Sequence, residues 1–241
     1  MKHPENAVIR RSDYRAPVFL IDRVELRFDL DPLATQVESK LFLRRNAAAD
    51  DATPALELYG TDLLLVSIHL NGEALPASAW QQSASSDRIT IATAALVAGS
   101  EQPTLSIVTR FNPTANLALE GLYVTNGTFC TQCEAEGFRR ISYFPDRPDV
   151  LSEYQVTIRA ARAEYPVLLS NGNLVSQRDL DDGRHEAVWL DPHKKPCYLF
   201  ALVAGKIDRL PFSDSRRLSS TVWLSNTVGF WNLRPMPSSA M

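Results

Sequence analysis

The stretch CTQCEAEGFRR, residues 130–140, gathers more chemically capable side chains than any other part of the sequence. Cys130 and Cys133 have the spacing of half a metal site or of a redox pair, and Glu134 and Glu136 follow at once. Structural zinc takes four ligands, usually two such cysteine pairs or one pair with two histidines. Only Cys197 and the scattered His3, His69, His185 and His193 remain to complete a set. A thioredoxin-like pair needs a βαβ setting, and none surrounds the stretch. The cysteines therefore read as small apolar packing groups. If residues 130–136 are extended, Gln132, Glu134 and Glu136 share one face, with Thr131, Cys133 and Ala135 on the other. An amide and a carboxylate on one face can line a small polar site, where the carboxylate holds a cation such as an ammonium group. A solvated acidic edge is the competing reading on spacing alone.

Other catalytic signatures fail on spacing. His185-Glu186 opens like the zinc helix His-Glu-x-x-His, but position 189 is Trp189. That motif needs both imidazoles on one helix face. RHEAVWL alternates instead like a strand, with its polar residues expected outward. No Gly-x-Ser-x-Gly occurs, and the ten glycines do not cluster into a phosphate-binding loop. The sequence thus offers no catalytic or metal residues of its own, and Gln132 and Glu134 are its candidate site.

The elements that must position those two residues are strands. In residues 23–31, Val24, Leu26, Phe28 and Leu30 alternate with polar residues, as in a half-buried strand. Residues 35–44 repeat the pattern, so 29–36 reads as the turn of a hairpin. Further strands are expected at 55–59, 63–70, 88–92, 105–111, 154–160, 167–170, 185–190 and 197–204. Asn71-Gly72, Asn171-Gly172 and Asp182-Gly183 mark turns. Residues 147–154 are expected to hold one short helical turn, and no window shows a sustained helical stripe. Short strands with frequent turn signals predict an all-β fold, an antiparallel sandwich or barrel.

Composition narrows the rest. With 241 residues, 45% of them apolar, the chain can bury a core without staples. The net charge of −3 and pairs such as Arg139-Arg140 give no polybasic tract, so nucleic acid is not an expected partner. No run of ~18 apolar residues predicts a membrane span. No apolar leader follows Met1, and three cysteines make no disulfide framework; a cytoplasmic location with reduced thiols is expected.

Beyond these inferences, CTQCEAEGFR closely resembles a segment of the N-terminal domain of bacterial aminopeptidase N, the membrane alanyl aminopeptidases of the gluzincin zinc family. The resemblance covers about residues 12–212. It is carried also by DYRAPVFLIDRVELRFDLDP (13–32), ALEGLYVTNGTFCTQCEAEGFRRISYFPDRPDVL (118–151), YPVLLSNGN (165–173) and KPCYLFALVAGKID (195–208). It implies a saddle-shaped β domain packed against a thermolysin-like catalytic domain. It also implies that Glu134 accepts hydrogen bonds from the free α-ammonium of a peptide, and that Gln132 lines the pocket for the first side chain.

The family's Gly-x-Met-Glu-Asn loop, its His-Glu-x-x-His helix, its third zinc ligand and its oxyanion tyrosine do not occur here. Zinc is therefore implied for the full-length family and not for this chain, which alone is expected to be inactive. Residues 1–212 read as the β domain. Residues 213–241 read as a divergent, partly disordered tail that frays from Pro235, with a strand at 221–224. A fragment, a frameshift product or a truncated frame would each account for that tail. Two readings stand: the substrate-anchoring domain of a zinc aminopeptidase, or a non-catalytic β-sandwich that binds a partner. Without its catalytic domain such a module would expose an apolar face and tend to self-associate.

Overall fold

A computed structural model describes residues 10–49, 55–98, 100, 102–213 and 219–225, with side chains described as far as residue 208. Alternation sets the strands. In β1 (Phe19–Asp29), Val24, Leu26 and Phe28 point into the core. A β-bulge between Ile21 and Arg23 shifts the parity, so Phe19 and Ile21 are buried as well. β2 (Thr35–Arg45) returns through a turn held by Asp31, whose Oδ1 accepts from the backbone N–H groups of Leu33 and Ala34. β3 (Ala55–Tyr59) follows, then β4 (Leu64–Leu70) and β5 (Glu73–Ala74). The last two are joined at Asn71-Gly72, both with φ positive, as a two-residue hairpin requires.

β6 (Trp80–Gln82), β7 (Arg88–Ala92), the single-turn helix α1 (Thr93–Val97) and β8 (Thr104–Phe111) lead into a second Asn-Gly hairpin. There β9 (Gly121–Thr125) and β10 (Thr128–Gln132) pair across Asn126-Gly127. Next come β11 (Leu151–Ala161), β12 (Val167–Ser170), β13 (Asn173–Asp179), β14 (Arg184–Pro196) and β15 (Leu202–Gly205). A hairpin of β16 (Ile207–Ser213) and β17 (Ser219–Ser225) follows, and β17 contains the strand expected at 221–224. Residues 214–218 and 226–241 of the expected tail lie outside the described residues.

The all-β expectation holds. The largest sheet has eight strands in the order β13-β14-β11-β1-β2-β8-β4-β5, and beside it stand sheets β12-β15-β10-β9, β3-β7-β6 and β16-β17. The antiparallel expectation needs one correction: β1 and β11 run parallel, from Arg23 opposite Glu153 to Asp29 opposite Arg159. A parallel pair needs a long crossover, and the two intervening sheets supply it. Residues 147–154 do not form a helical turn. Arg147 closes on Asp149 through two hydrogen bonds, and β11 begins two residues later. The strand expected at 197–204 is split, with a 3-10 turn at Cys197–Leu199 before β15. Among the described residues, no helix is long and apolar enough to cross a membrane.

Two ring nitrogens on β14 tie the eight-stranded sheet to the four-stranded one. His185 Nε2 lies 2.7 Å from the Tyr165 carbonyl, and Trp189 Nε1 donates to the Leu168 carbonyl at 3.1 Å. This overturns the outward placement expected for the polar residues of RHEAVWL. His185 is roofed by residue 165, and Glu186 is buried under Arg159 and Arg178, at 2.5 and 2.9 Å. Rings complete the join, with Phe28 stacked on Phe200 at 6.0 Å and Phe129 tilted on Tyr165 at 4.9 Å.

At the β1 bulge, Asp22 accepts from Arg44 at 2.7 Å and from Lys194 at 2.6 Å. The Arg44 hydrogen bond, opposed by partial burial and reinforced by Lys194, holds the carboxyl at about 2, against its ordinary 3.8. A depressed folded-state value stabilises above the unfolded value and is lost as pH falls through the folded one. Because Asp22 is a third exposed, screening reduces its worth to about 1 kcal/mol. Asp22→Asn is therefore expected to lower the melting temperature near neutral pH by a few degrees and to flatten its decline between pH 4 and pH 2. Melts recorded against pH that superimpose for both proteins would refute this.

Candidate functional site

The 130–140 segment changes conformation at Gln132. β10 ends there, residues 134–136 form a turn, and Gly137–Arg140 is a 3-10 turn. The alternation expected for an extended 130–136 therefore holds only in part. Gln132, Glu134 and Glu136 are all exposed and Cys133 is buried, but Ala135 is exposed as well. The structure does bring Gln132 and Glu134 together: the Gln132 amide donates to the Glu134 carbonyl at 3.3 Å. The Glu134–Ala135 peptide is cis.

Two glycines make the turn possible. A Cβ on Gly137 would lie 2.4 Å from the Gln132 carbonyl oxygen and 2.8 Å from the Gly121 nitrogen. Gly121, the strand partner of Gln132, has φ +68, and a Cβ there would meet Arg140 Cβ at 2.6 Å. Backbone thus packs on backbone where any side chain would intrude. Asn116 steadies the far side, donating to the carbonyls of Glu120 at 2.6 Å and Leu122 at 3.0 Å.

Below the turn, Phe138 is fully buried among Phe144, Phe200 and Tyr154, with centroids 4.9, 5.5 and 6.3 Å away. Two polar residues on the inner face of the main sheet catch the chain as it leaves. Thr109 donates to the Ile141 carbonyl at 3.0 Å, and Ser39 and Ser142 share a 2.7 Å hydrogen bond. Asp146 fixes the other end. Its buried carboxylate accepts from Arg139 Nε at 2.6 Å, from the Arg139 backbone N–H at 3.3 Å and from Cys197 Sγ at 3.2 Å.

The cysteines are free thiols that pack. Burial pushes Cys133 and Cys197 far above an ordinary thiol, with Asp146 adding to both, and burial raises Cys130 too. Raised thiols are the opposite of the lowered ones that a metal or redox pair needs.

Charge around the turn is unevenly shared. Arg139 pairs with Asp146 and with Glu136 at 3.2 Å, and its guanidinium lies 5.0 Å above the Tyr59 ring. Arg140 pairs with Glu120 at 3.2 Å and with Asp62. Among the described residues, the Glu134 carboxylate has neither ion pair nor hydrogen bond. The exposed anion at the tip of this turn is thus the one its two arginines leave open.

A family model, the Peptidase M1 N-terminal domain, matches residues 25–199. The chain belongs to that family. The match includes the whole Gln132–Glu134 turn and its supports from β2, β8 and Asp146. Aminopeptidase N of Escherichia coli (strain K12) is 45% identical over 229 residues, covering 94% of this chain and 25% of that protein. Aminopeptidase N of Caulobacter vibrioides is 47% identical over 205 residues, 84% of this chain and 22% of that one. The crystal structure of Legionella pneumophila aminopeptidase A in complex with aspartic acid has a TM-score of 0.78 at 33% identity, over 88% of this chain and 24% of that chain. The chain spans about a quarter of the length of these relatives.

A structure of similar fold, at 15% identity and a TM-score of 0.68, is that of an M1 zinc metallopeptidase from Deinococcus radiodurans. The described residues of this chain do not gather a zinc site: no three metal-ligating side chains converge, and buried His185 turns its Nε2 to the Tyr165 carbonyl. What the sequence reading passed over is the support of the turn: Gly121, Gly137, Asp146 and the separate tasks of Arg139 and Arg140. One signal was available, the dipeptide Glu-Gly at both 120–121 and 136–137.

Gly137→Ala tests the close approach. Gly127, at φ +74 with nothing near its missing Cβ, is the control. Ala at 127 is expected to cost about 1 kcal/mol through its backbone alone, and Ala at 137 about 2–3 kcal/mol through overlap with the backbone of Gln132. Denaturant unfolding that ranks Gly127→Ala as the worse variant would contradict this packing.

Proposed function

We propose that this domain anchors the amino end of a peptide for a zinc aminopeptidase, with Glu134 receiving the α-ammonium and Gln132 bordering the first side chain. The observation that carries the reading is the unpaired carboxylate of Glu134, displayed on a turn whose every neighbouring carboxylate is already matched to an arginine. Membership of the M1 family and the aminopeptidase relatives support the reaction class.

An exopeptidase must count one residue from the free amine. A carboxylate fixed at one end of the substrate does the counting, because a charged hydrogen bond has a short range and a definite direction. Gln132 can both donate and accept, so it can border an uncharged side chain without demanding one charge. Activation of the hydrolytic water by zinc would come from the remainder of such an enzyme, since this chain's described residues do not gather its ligands. The partners are then a peptide N-terminus and a catalytic domain. Exposed Leu117 and Leu119, on the loop that leads into Gly121, support a covered surface beside the turn.

The test replaces the matched quarter of the E. coli aminopeptidase by this chain. The chimera is expected to hydrolyse an alanyl anilide, and Glu134→Gln in it to lower kcat/KM about 10- to 150-fold, the equivalent of a lost charged hydrogen bond of about 1.5–3 kcal/mol. An unchanged kcat/KM would remove Glu134 from this role. The chain alone is expected to be inactive, and chelator-sensitive hydrolysis by it would overturn that part.

A further inference from the structure

The arginines that follow the turn do more than close it. Five carboxylates surround this corner: Asp62, Glu120, Glu134, Glu136 and Asp146. Asp62 and Glu120 are well exposed, at 80% and 55% of their side chains. Glu120 sits immediately before Gly121, the strand partner of Gln132, and Arg140 stacks its Cβ against Gly121. The carboxylate of Glu120 thus belongs to the same edge as Gln132 and Glu134. An ammonium ion reaching this edge meets four exposed anions, Asp62, Glu120, Glu134 and Glu136, and three of them would place a peptide in the wrong register. Arg140 engages Glu120 through Nε and Asp62 through Nη1, while Arg139 takes up the third, Glu136, together with buried Asp146.

We propose that Arg140 is a positioning residue: by occupying Glu120 and Asp62, with Arg139 holding Glu136, it leaves Glu134 as the single address for a substrate ammonium group. The proposal rests on Glu134 being that address. Its physical basis is that a guanidinium fork can satisfy two carboxylates at once, which a lysine ammonium matches poorly. The gain is specificity against misplaced binding of the right ligand, and not tighter binding. Exposed ion pairs add little stability, so the cost of removing Arg140 is expected mainly in placement.

Direct observation of the carboxylates tests this on the full chain. The 13C carboxyl resonances of Asp62, Glu120 and Glu134 are followed during titration with L-alaninamide at fixed pH and ionic strength. In the unsubstituted chain Glu134 is expected to shift, and Glu120 and Asp62 to shift roughly fivefold less, since a guanidinium at contact distance cancels most of their attraction. In Arg140→Met all three are expected to respond, Glu120 and Asp62 by at least half the Glu134 amplitude. Adding Asp62→Asn and Glu120→Gln to Arg140→Met should return the response to Glu134 alone. If Arg140→Met does not fold, Arg140→Lys serves, with at least one of the two carboxylates released. Equal responses at all three positions in the unsubstituted chain would overturn the proposal, as would a response confined to Glu134 after Arg140 is replaced. A silent Glu134 in every protein would instead defeat the ammonium reading itself, so the two failures are told apart.

Discussion

The buried carboxylate of Asp146 is the constraint on which the site depends. Its side chain is fully shielded and sits at φ +49, and it meets Arg139 twice and Cys197 once. An unpartnered charge there would cost about 3–5 kcal/mol, so the carboxylate and Arg139 keep their geometry together. That one pairing joins three pieces of chain: the 3-10 turn that carries the motif, the loop before β11, and the turn that opens the way to β15. Phe138 plugs the aromatic core directly beside the residue held this way. The exposed tip, Glu134, inherits its position from buried groups it never touches.

The strands could be read from the sequence because a half-buried strand writes its burial in every second residue. β1, β2, β7 and β8 follow that rule, and Asn71-Gly72 closes the hairpin it announces. The reading failed where both faces of a strand are covered. His185, Glu186 and Ala187 are consecutive and all buried, so polarity gave no clue to direction there. It failed again where a side-chain contact replaced a helix signal, as with Arg147 and Asp149 on either side of Pro148. Gln132 and Glu134 were legible as neighbours on a polar face. The fence of Arg139 and Arg140 was not, because Asp62 lies 78 residues from Arg140 and no local spacing links the two.

The division of polar groups in the main sheet follows the same logic. Ser39 and Thr109 stand on its inner face, where an apolar residue would be ordinary, and each is matched to the segment leaving the motif. Replacing such a pair by apolar groups would keep the core dry and lose the specification of where that segment lies. The inner face of β2 and β8 is therefore both core and template.

The parallel pairing of β1 with β11 also has a consequence in time. Arg23 finds Glu153 only after about 130 further residues have been made. At ordinary synthesis rates of about 5–20 residues per second that interval is roughly 6–26 s. During it, β1 has β2 on one side and an open row of backbone donors and acceptors on the other. The motif turn emerges inside the same interval, before the strand that closes the sheet exists. The nascent chain thus carries β1, a central strand of the finished sheet, with one edge unpaired until β11 follows it.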